Sequence, residues 1–593
     1  MSLHVLAYTL FKPIGERIAG FWRGLYEDVR ASGMRVYPPA YASAVVLASV
    51  IAAGAAAAVL LPLSLFLPIP PSVGLVMDVL VPPAIAVVTF VMGMTYPRVK
   101  RYSRAYKFDL EVPYLAAYVT TMATGGISPY VSMERLARAP KYLFQAVREE
   151  AAKFYLKVRA MGEDPLTALE ELARDVPNRA YRQLMLGYAA TLRIGGDVVH
   201  FLQRQTEVML RERVAQVKAV GERVGMLLEA YLAVALVLAL VIYVMNAVNY
   251  MLASAGLGMG GSELQLLIFG YLLLPMISGV FIYLADMMQP KYPVYDKMPY
   301  IVYAACSLPL TTLLALGTTL PYLTNLQLLP LAPLTQAVGK VRDLLGLPRG
   351  FEAGIGMCLS LALGTLPAVA ADVYSSARHG GVQYGITRFL RDLVEVRKTG
   401  LSPEKCIMSL RDRDYGRFSR FLREMANQVG WGVPLSKIYE RFASRVKNWA
   451  ALIFMYLLVE SIEVGGGTPE ILEALASYAE DLEQVEKEKR GALKPLLFVP
   501  YVGAVILVVV VLVIVGFMNY IVGIAGMAVG AASMVTIFVP PVILNCYLMG
   551  LVAGKVSSER VSAGFKHAVL LMLISLVAMA ATPHLVKGLA IKL

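Results

Sequence analysis

The sequence predicts an all-α polytopic membrane protein with about nine transmembrane helices and two duplicated cytoplasmic helical-bundle domains. Three observations carry this fold class: an apolar, charge-poor composition, a series of apolar runs of bilayer-spanning length, and helix-start and helix-stop signals that recur at a nearly constant separation.

Composition sets the solvent. Of 593 residues, 58% are hydrophobic and 16% charged, with a mean hydropathy of +0.61; a typical globular chain has roughly 45–50% apolar and about 25% charged residues. That excludes a soluble enzyme and a disordered chain. The net charge of +13 lies mainly between the apolar runs, as the cytoplasmic flanks of membrane proteins place it, so no nucleic-acid partner is expected. Cys306, Cys358, Cys406 and Cys546 are too scattered for a disulfide framework or a metal pair, and the five histidines are equally dispersed, so no metal, cofactor or catalytic centre is expected. Residues 1–30 mix Lys12, Arg17 and Arg23 with acids and show no removable signal peptide.

A hydrocarbon core about 30 Å thick needs about 20 helical residues. Nine runs qualify: 41–66, 73–95, 226–250, 264–287, 299–322, 352–374, 494–516, 528–550 and 567–590. They divide the chain into a cytoplasmic segment 1–40, a transmembrane hairpin 41–96, a first cytoplasmic domain 97–225, three spans in 226–322, an extracytoplasmic loop 323–351, a sixth span in 352–376, a second cytoplasmic domain 377–493, and three spans in 494–593. Residues 97–225 carry 21 Lys and Arg against 14 acids, and 378–493 carry 18 against 16, whereas the connectors 251–263 and 517–527 carry no Lys or Arg. The positive-inside tendency then puts the N-terminus and both large domains in the cytoplasm and the C-terminus outside. Lys340, Arg342 and Arg349 in the loop 323–351 run against it.

Both cytoplasmic domains read as helical. Leu393, Val396, Leu401, Ile407 and Leu410 recur at helical spacing, Gly400 stops one helix, and Ser402 caps the next with Pro403 in its first turn. Gly125-Gly126 followed by Ser128-Pro129 repeats the signal. Ser128-Pro129 matches Ser402-Pro403, Pro165-Leu166 matches Pro434-Leu435, and Ile194-Gly195-Gly196 matches Val464-Gly465-Gly466, all three at nearly one offset. After each Gly-Gly comes a long charged helix (197–223, then 468–490), then three apolar spans, with Pro275 and Pro540 at comparable places. The chain is read as two copies of one unit. Gly221, Gly225 and Pro495 are expected to bend the junctions between charged helix and span.

These residues, together with the runs Phe389 to Leu393 and Arg397 to Leu401, carry a resemblance that covers roughly 97–590. The chain resembles the archaeal branch of the type II secretion system F family, TadC/FlaJ-like platform proteins of type IV pili and archaella. The resemblance implies a scaffold in the cytoplasmic membrane. Its partners would be a hexameric secretion ATPase, pilin-like subunits and membrane lipid, with homo-oligomers compatible. Asp197 has no acidic match at Gly467, nor Asp164 at Val433.

Other constellations weigh less. Ile194-Gly195-Gly196-Asp197 lacks the first Gly and the intramembrane setting of an aspartyl protease, so Asp197 reads as a helix cap. Gly554-Lys555 lacks the surroundings of a phosphate loop, so nucleotide hydrolysis is expected from a partner. Asp78 reads as an interfacial anchor, and Glu229, Asp286 and Asp372 as solvated at cytoplasmic helix ends. Arg98, Lys100, Arg101, Arg104 and Lys107 read as topology-setting and lipid-attracting. Arg411, Arg413, Arg417 and Arg420 in the second domain and Arg135, Arg138 and Lys141 in the first are the candidate ATPase-binding clusters. The alternative class is a repeat-built secondary transporter with a midplane site between broken helices.

Overall fold

The computed structural model describes residues 3–22, 24–34, 36–66, 71–254, 268–324, 329–464, 466–524 and 531–590. Every regular element among the described residues is helical, as a bilayer demands, because a helix satisfies its own backbone polar groups where water is absent. Eight helices among them are long and apolar enough to cross a membrane. The expected span 73–95 falls within a helix, Pro71–Thr124, whose side chains up to residue 81, Asp78 included, lie outside the described residues.

One compact unit comprises residues 1–209 with 464–475. It contains α1 (Leu3–Phe21), α2 (Leu25–Ala31), α3 (Pro38–Phe66), α4 (Pro71–Thr124), α5 (Pro129–Arg138), α6 (Ala146–Met161), α7 (Pro165–Asp175), α8 (Arg179–Arg193) and the start of α9 (Val198–Ser254). The bundle α4–α8 closes over fully buried aromatics, among them Phe108, Tyr118, Phe144 and Tyr181. Burial of such side chains contributes roughly 1.5–3 kcal/mol each.

The other unit comprises residues 210–463 with 476–593. Its elements are the rest of α9, α10 (Leu274–Met288), α11 (Met298–Val302), α12 (Leu308–Thr318), α13 (Leu320–Thr324), α14 (Ala332–Leu344), α15 (Glu352–His379), α16 (Val382–Arg397), α17 (Pro403–Ser409), α18 (Ser419–Gly430), α19 (Leu435–Arg445), α20 (Trp449–Glu463), all but the start of α21 (Pro469–Leu493), α22 (Phe498–Ile524), α23 (Ala531–Ser558) and α24 (Gly564–Ala590). Single π-helical turns, Phe269–Leu273 and Tyr303–Ser307, precede α10 and α12. In the loop 323–351, Arg342 is paired with Asp343 and with Glu352.

The duplication is visible helix by helix. α7 and α19 start at Pro165 and Leu435, and α8 and α20 at Arg179 and Trp449, so both pairs keep one offset. α9 and α21, which start at Val198 and Pro469, depart from it by a single position. Ser128 and Ser402 cap α5 and α17 by accepting from Val131 N and Lys405 N, each at 3.4 Å, with Pro129 and Pro403 in the first turn. Gly162 and Gly432 take φ +70° and +74° at the equivalent turns, where any side chain would be strained. Gly195 and Gly466 are likewise left-handed; Gly465 lies outside the described residues. The proline match shifts by one: Pro165 is the first residue of α7, whereas Pro434 is the N-cap of α19, so Asp164 corresponds to Pro434 and not to Val433.

The junctions differ from expectation. α9 is one unbroken helix of 57 residues through Gly221 and Gly225; only the second junction bends, through a 3-10 turn at Lys494–Leu497 containing Pro495. The glycines serve close approach instead. A Cβ on Gly221 would lie 3.0 Å from Ala492 Cβ, on Gly225 3.4 Å from Leu496, on Gly503 2.7 Å from Leu232, and on Gly270 2.6 Å from Pro541. Within every pair the sequence offset is the one that relates the starts of α9 and α21, so positions equivalent in the two copies touch each other. That is the signature of a pseudo-two-fold axis, with a small residue opposite a larger one in the manner of membrane helix interfaces.

Candidate functional site

The basic clusters of the two helical bundles are the candidate docking groups. In the first bundle, Arg138 pairs with Glu134 at 2.7 Å one turn earlier, and Lys141 stands exposed in the α5–α6 connection. Arg135, on the same helix, is half-buried. In the second bundle, Arg411 pairs with its neighbour Asp412 at 3.1 Å, and Arg420 lies 3.6 Å from Glu424 with 81% of its side chain exposed.

Two members of the expected set are committed to the fold. Arg413 donates to Asp392 at 2.9 Å, and Asp392 also accepts the Tyr415 hydroxyl at 2.7 Å. Burial, and then this hydrogen bond to Asp392, raise the Tyr415 phenol above its ordinary pKa. Arg417 donates to the Ser376 carbonyl at 2.7 Å and to that of Gly380. It thereby caps the C-terminal carbonyls of α15, where the helix dipole favours a cation. Both guanidiniums therefore have acceptors within the protein, brought to them from distant parts of the sequence, while both side chains stay exposed.

Three of the juxtamembrane basic residues also have partners within the protein. Arg98 and Arg101 pair with the buried Asp28 of α2 at 3.3 and 2.9 Å. Arg104 is buried, paired with Glu150, and donates to the Ala31 carbonyl at 2.8 Å. Three of five groups assigned to lipid thus fasten α2 and α6 to α4.

Several positions invisible to pattern reading organise the bundles. Glu111 of α4 is buried and accepts from the first backbone amides of α6: Gln145 N at 2.8 Å, Ala146 N at 3.3 Å and Val147 N at 2.9 Å. Burial, the largest influence, pushes its pKa up from the ordinary glutamate value against those three N–H donors. On the offset that relates Ser128 to Ser402, the equivalent position is Gly385. A Cβ there would lie 2.3 Å from the Tyr415 carbonyl and 2.5 Å from Phe418 Cβ, so the second bundle closes directly where the first inserts a carboxylate. Asn178 and Asn448, equivalent positions of the two copies, cap α8 and α20 by accepting from Tyr181 N at 2.8 Å and Ala451 N at 3.0 Å. This pair was readable as a further repeat landmark. Asp197 caps α9 by accepting from His200 N at 3.0 Å, as expected.

At the junction of α21 with the connectors after α10 and α23, Lys489 is buried. It donates to Tyr292 at 2.8 Å and pairs with Glu486 at 2.9 Å and Glu559 at 3.0 Å. Beside it Lys555, of the discarded Gly-Lys pair, donates to Asp286 at 2.6 Å. Asp372, expected to be solvated, is 4% exposed. Among the described residues no group of three His, Cys, Asp or Glu side chains could hold a metal ion.

Two stretches of the chain, residues 115–245 and 389–516, match the family model described as Type II secretion system (T2SS), protein F. The chain is also similar to an uncharacterised protein of Methanocaldococcus jannaschii, 20% identical over 411 residues, which cover 68% of this chain and 67% of that protein. No solved structure matches the chain.

Proposed function

We propose that this chain is a multi-pass membrane platform of a secretion or pilus-like system. More finely, it serves an archaeal type IV pilus-like machine, scaffolding a hexameric cytoplasmic ATPase against pilin-like subunits in the cytoplasmic membrane. The observation that carries the reading is the double match to the secretion-system F family, which falls on the two copies of a helical bundle running into a long helix. The platform is not an enzyme; it receives work through its cytoplasmic domains, about 97–225 and 377–493, with the N-terminus inside and the C-terminus outside. Among the basic groups, Arg135, Arg138, Lys141, Arg411, Arg413, Arg417 and Arg420 are the candidates for ATPase contact. Their mixture with Glu134, Asp412 and Glu424 suits a partner that binds and releases.

The test is copurification of the detergent-solubilised protein with the secretion ATPase of the same cell, beside solute uptake into proteoliposomes. Retention of the ATPase without uptake is expected. Uptake without retention would replace the platform by the transporter reading.

A further inference from the structure

The second bundle carries a groove whose composition the first does not share. α18 and α19 are joined by a turn at Trp431-Gly432, and between them lies a cavity of about 70 Å³. Its floor is apolar: Phe418, Ile438 and Phe442 are buried, and half-buried Phe421 meets Phe442 edge-on at 5.4 Å between ring centres. Its rim is basic. Arg445 pairs with Glu424, Arg420 approaches the same carboxylate, and Arg441 donates to Gln428 at 2.8 Å. Three guanidiniums thus surround one carboxylate and one neutral amide.

The fold itself does not require this composition. At the equivalent positions of the first bundle, Val147 stands for Phe421 on the offset that relates Ser128 to Ser402, and Leu172 for Phe442, Glu171 for Arg441 and Asp175 for Arg445 on the offset that relates α7 to α19. There the acids are matched by cations of their own unit, Glu171 by Lys157 at 2.7 Å and Asp175 by Arg30 at 2.9 Å. The two copies share a backbone plan yet oppose each other in charge at this one face. Phe421 and Phe442 are the aromatics added where the rim is basic.

We propose that the α18–α19 groove docks an acidic segment of a cytoplasmic protein that carries one bulky apolar side chain. The apolar side chain seats on Phe421 and Phe442. Carboxylates of the segment take over Arg441 and Arg445 from Gln428 and Glu424 as charge-assisted, two-pronged hydrogen bonds. Aromatic and arginine side chains gathered in a pocket are the residue types that concentrate binding energy at protein interfaces. The inference rests on the platform reading only for the side of the membrane on which the groove opens.

The experiment uses the full chain in phosphatidylcholine nanodiscs and fluorescence anisotropy of three labelled peptides. One is a run of glutamates with a central phenylalanine, one replaces that phenylalanine by serine, and one replaces the glutamates by lysines. Only the first is expected to bind well. Its affinity should fall about tenfold in Arg441→Ser/Arg445→Ser and in Phe421→Ser, and hold in Lys405→Ser, which changes an exposed cation on α17 of the same bundle. Phe421 is half-buried, so that variant guards against a folding defect in the arginine pair. Equal binding of the serine peptide, indifference to both groove variants, absence of binding, or displacement by phosphatidylglycerol vesicles would each overturn the proposal. Failure of the platform reading would show instead as loss of ATPase copurification with peptide binding intact.

Discussion

The pseudo-two-fold packing predicts that two membrane residues can be exchanged across the axis. Leu232 is 8% exposed, and a Cβ built on its counterpart Gly503 falls 2.7 Å from one Leu232 methyl and 3.6 Å from the other. Gly503→Leu alone must therefore overpack the contact, at about 1–3 kcal/mol. Leu232→Gly alone removes a buried side chain, at about 2–5 kcal/mol, and adds roughly 1 kcal/mol for glycine in a helix interior. In Leu232→Gly/Gly503→Leu the leucine returns to the same space from the opposite helix. The double variant should recover most of the summed loss, a coupling on the order of 2–3 kcal/mol. Thermal unfolding of the four proteins in one detergent reads this as a melting temperature near wild type for the double variant. Additive losses would refute the axis, because residues that do not share one space do not rescue each other.

Glu111→Ala leaves three amides of the α6 start without an acceptor, about 1 kcal/mol each, so hydrogen exchange at residues 145–147 should accelerate on the order of a hundredfold; Glu111→Gln should accelerate it far less, and unchanged protection in both would dismiss the cap. Asn448→Ala should cost about 1 kcal/mol, as loss of an N-cap does. Asn178→Ala should cost more, because Asp109 also loses a donor at 2.6 Å; equal melting temperatures would contradict the assignment. Lys489→Met leaves Glu486 and Glu559 buried without their cation, a loss of about 3–5 kcal/mol. Lys489→Met/Glu559→Gln should melt higher than the single variant, and a lower melt would count against the pairing.

What could be read from the sequence is what local chemistry determines. Ser128 and Ser402 satisfy amides three residues ahead, and Gly126 and Gly400 end their helices in left-handed turns, so pattern and structure coincide there. The membrane class followed from composition, which depends on no contact at all. The internal partners of Arg413 and Arg417 could not be read, because Asp392 and Ser376 are brought near only by the packing of α15 and α16 against the turn before α18. Arg104 and Asp372 were misread for the same reason: burial at a helix end is a tertiary property. Gly221 and Gly225 looked like hinges in isolation and proved to be contact points, since a glycine in a long helix has both uses and only the facing residue decides. The equivalence of Glu111 and Gly385 hid behind unlike residue types.

The central claim is that this chain is a platform on which a filament or secretion pseudopilus is assembled. Electron microscopy of cells lacking the gene, and of the same cells with it restored, tests that claim most directly. The account predicts that surface filaments or pseudopili disappear while pilin-like subunits accumulate in the membrane, and that both defects reverse on restoration. Normal assembly in the deletion strain, with its subunits exported as before, would contradict it.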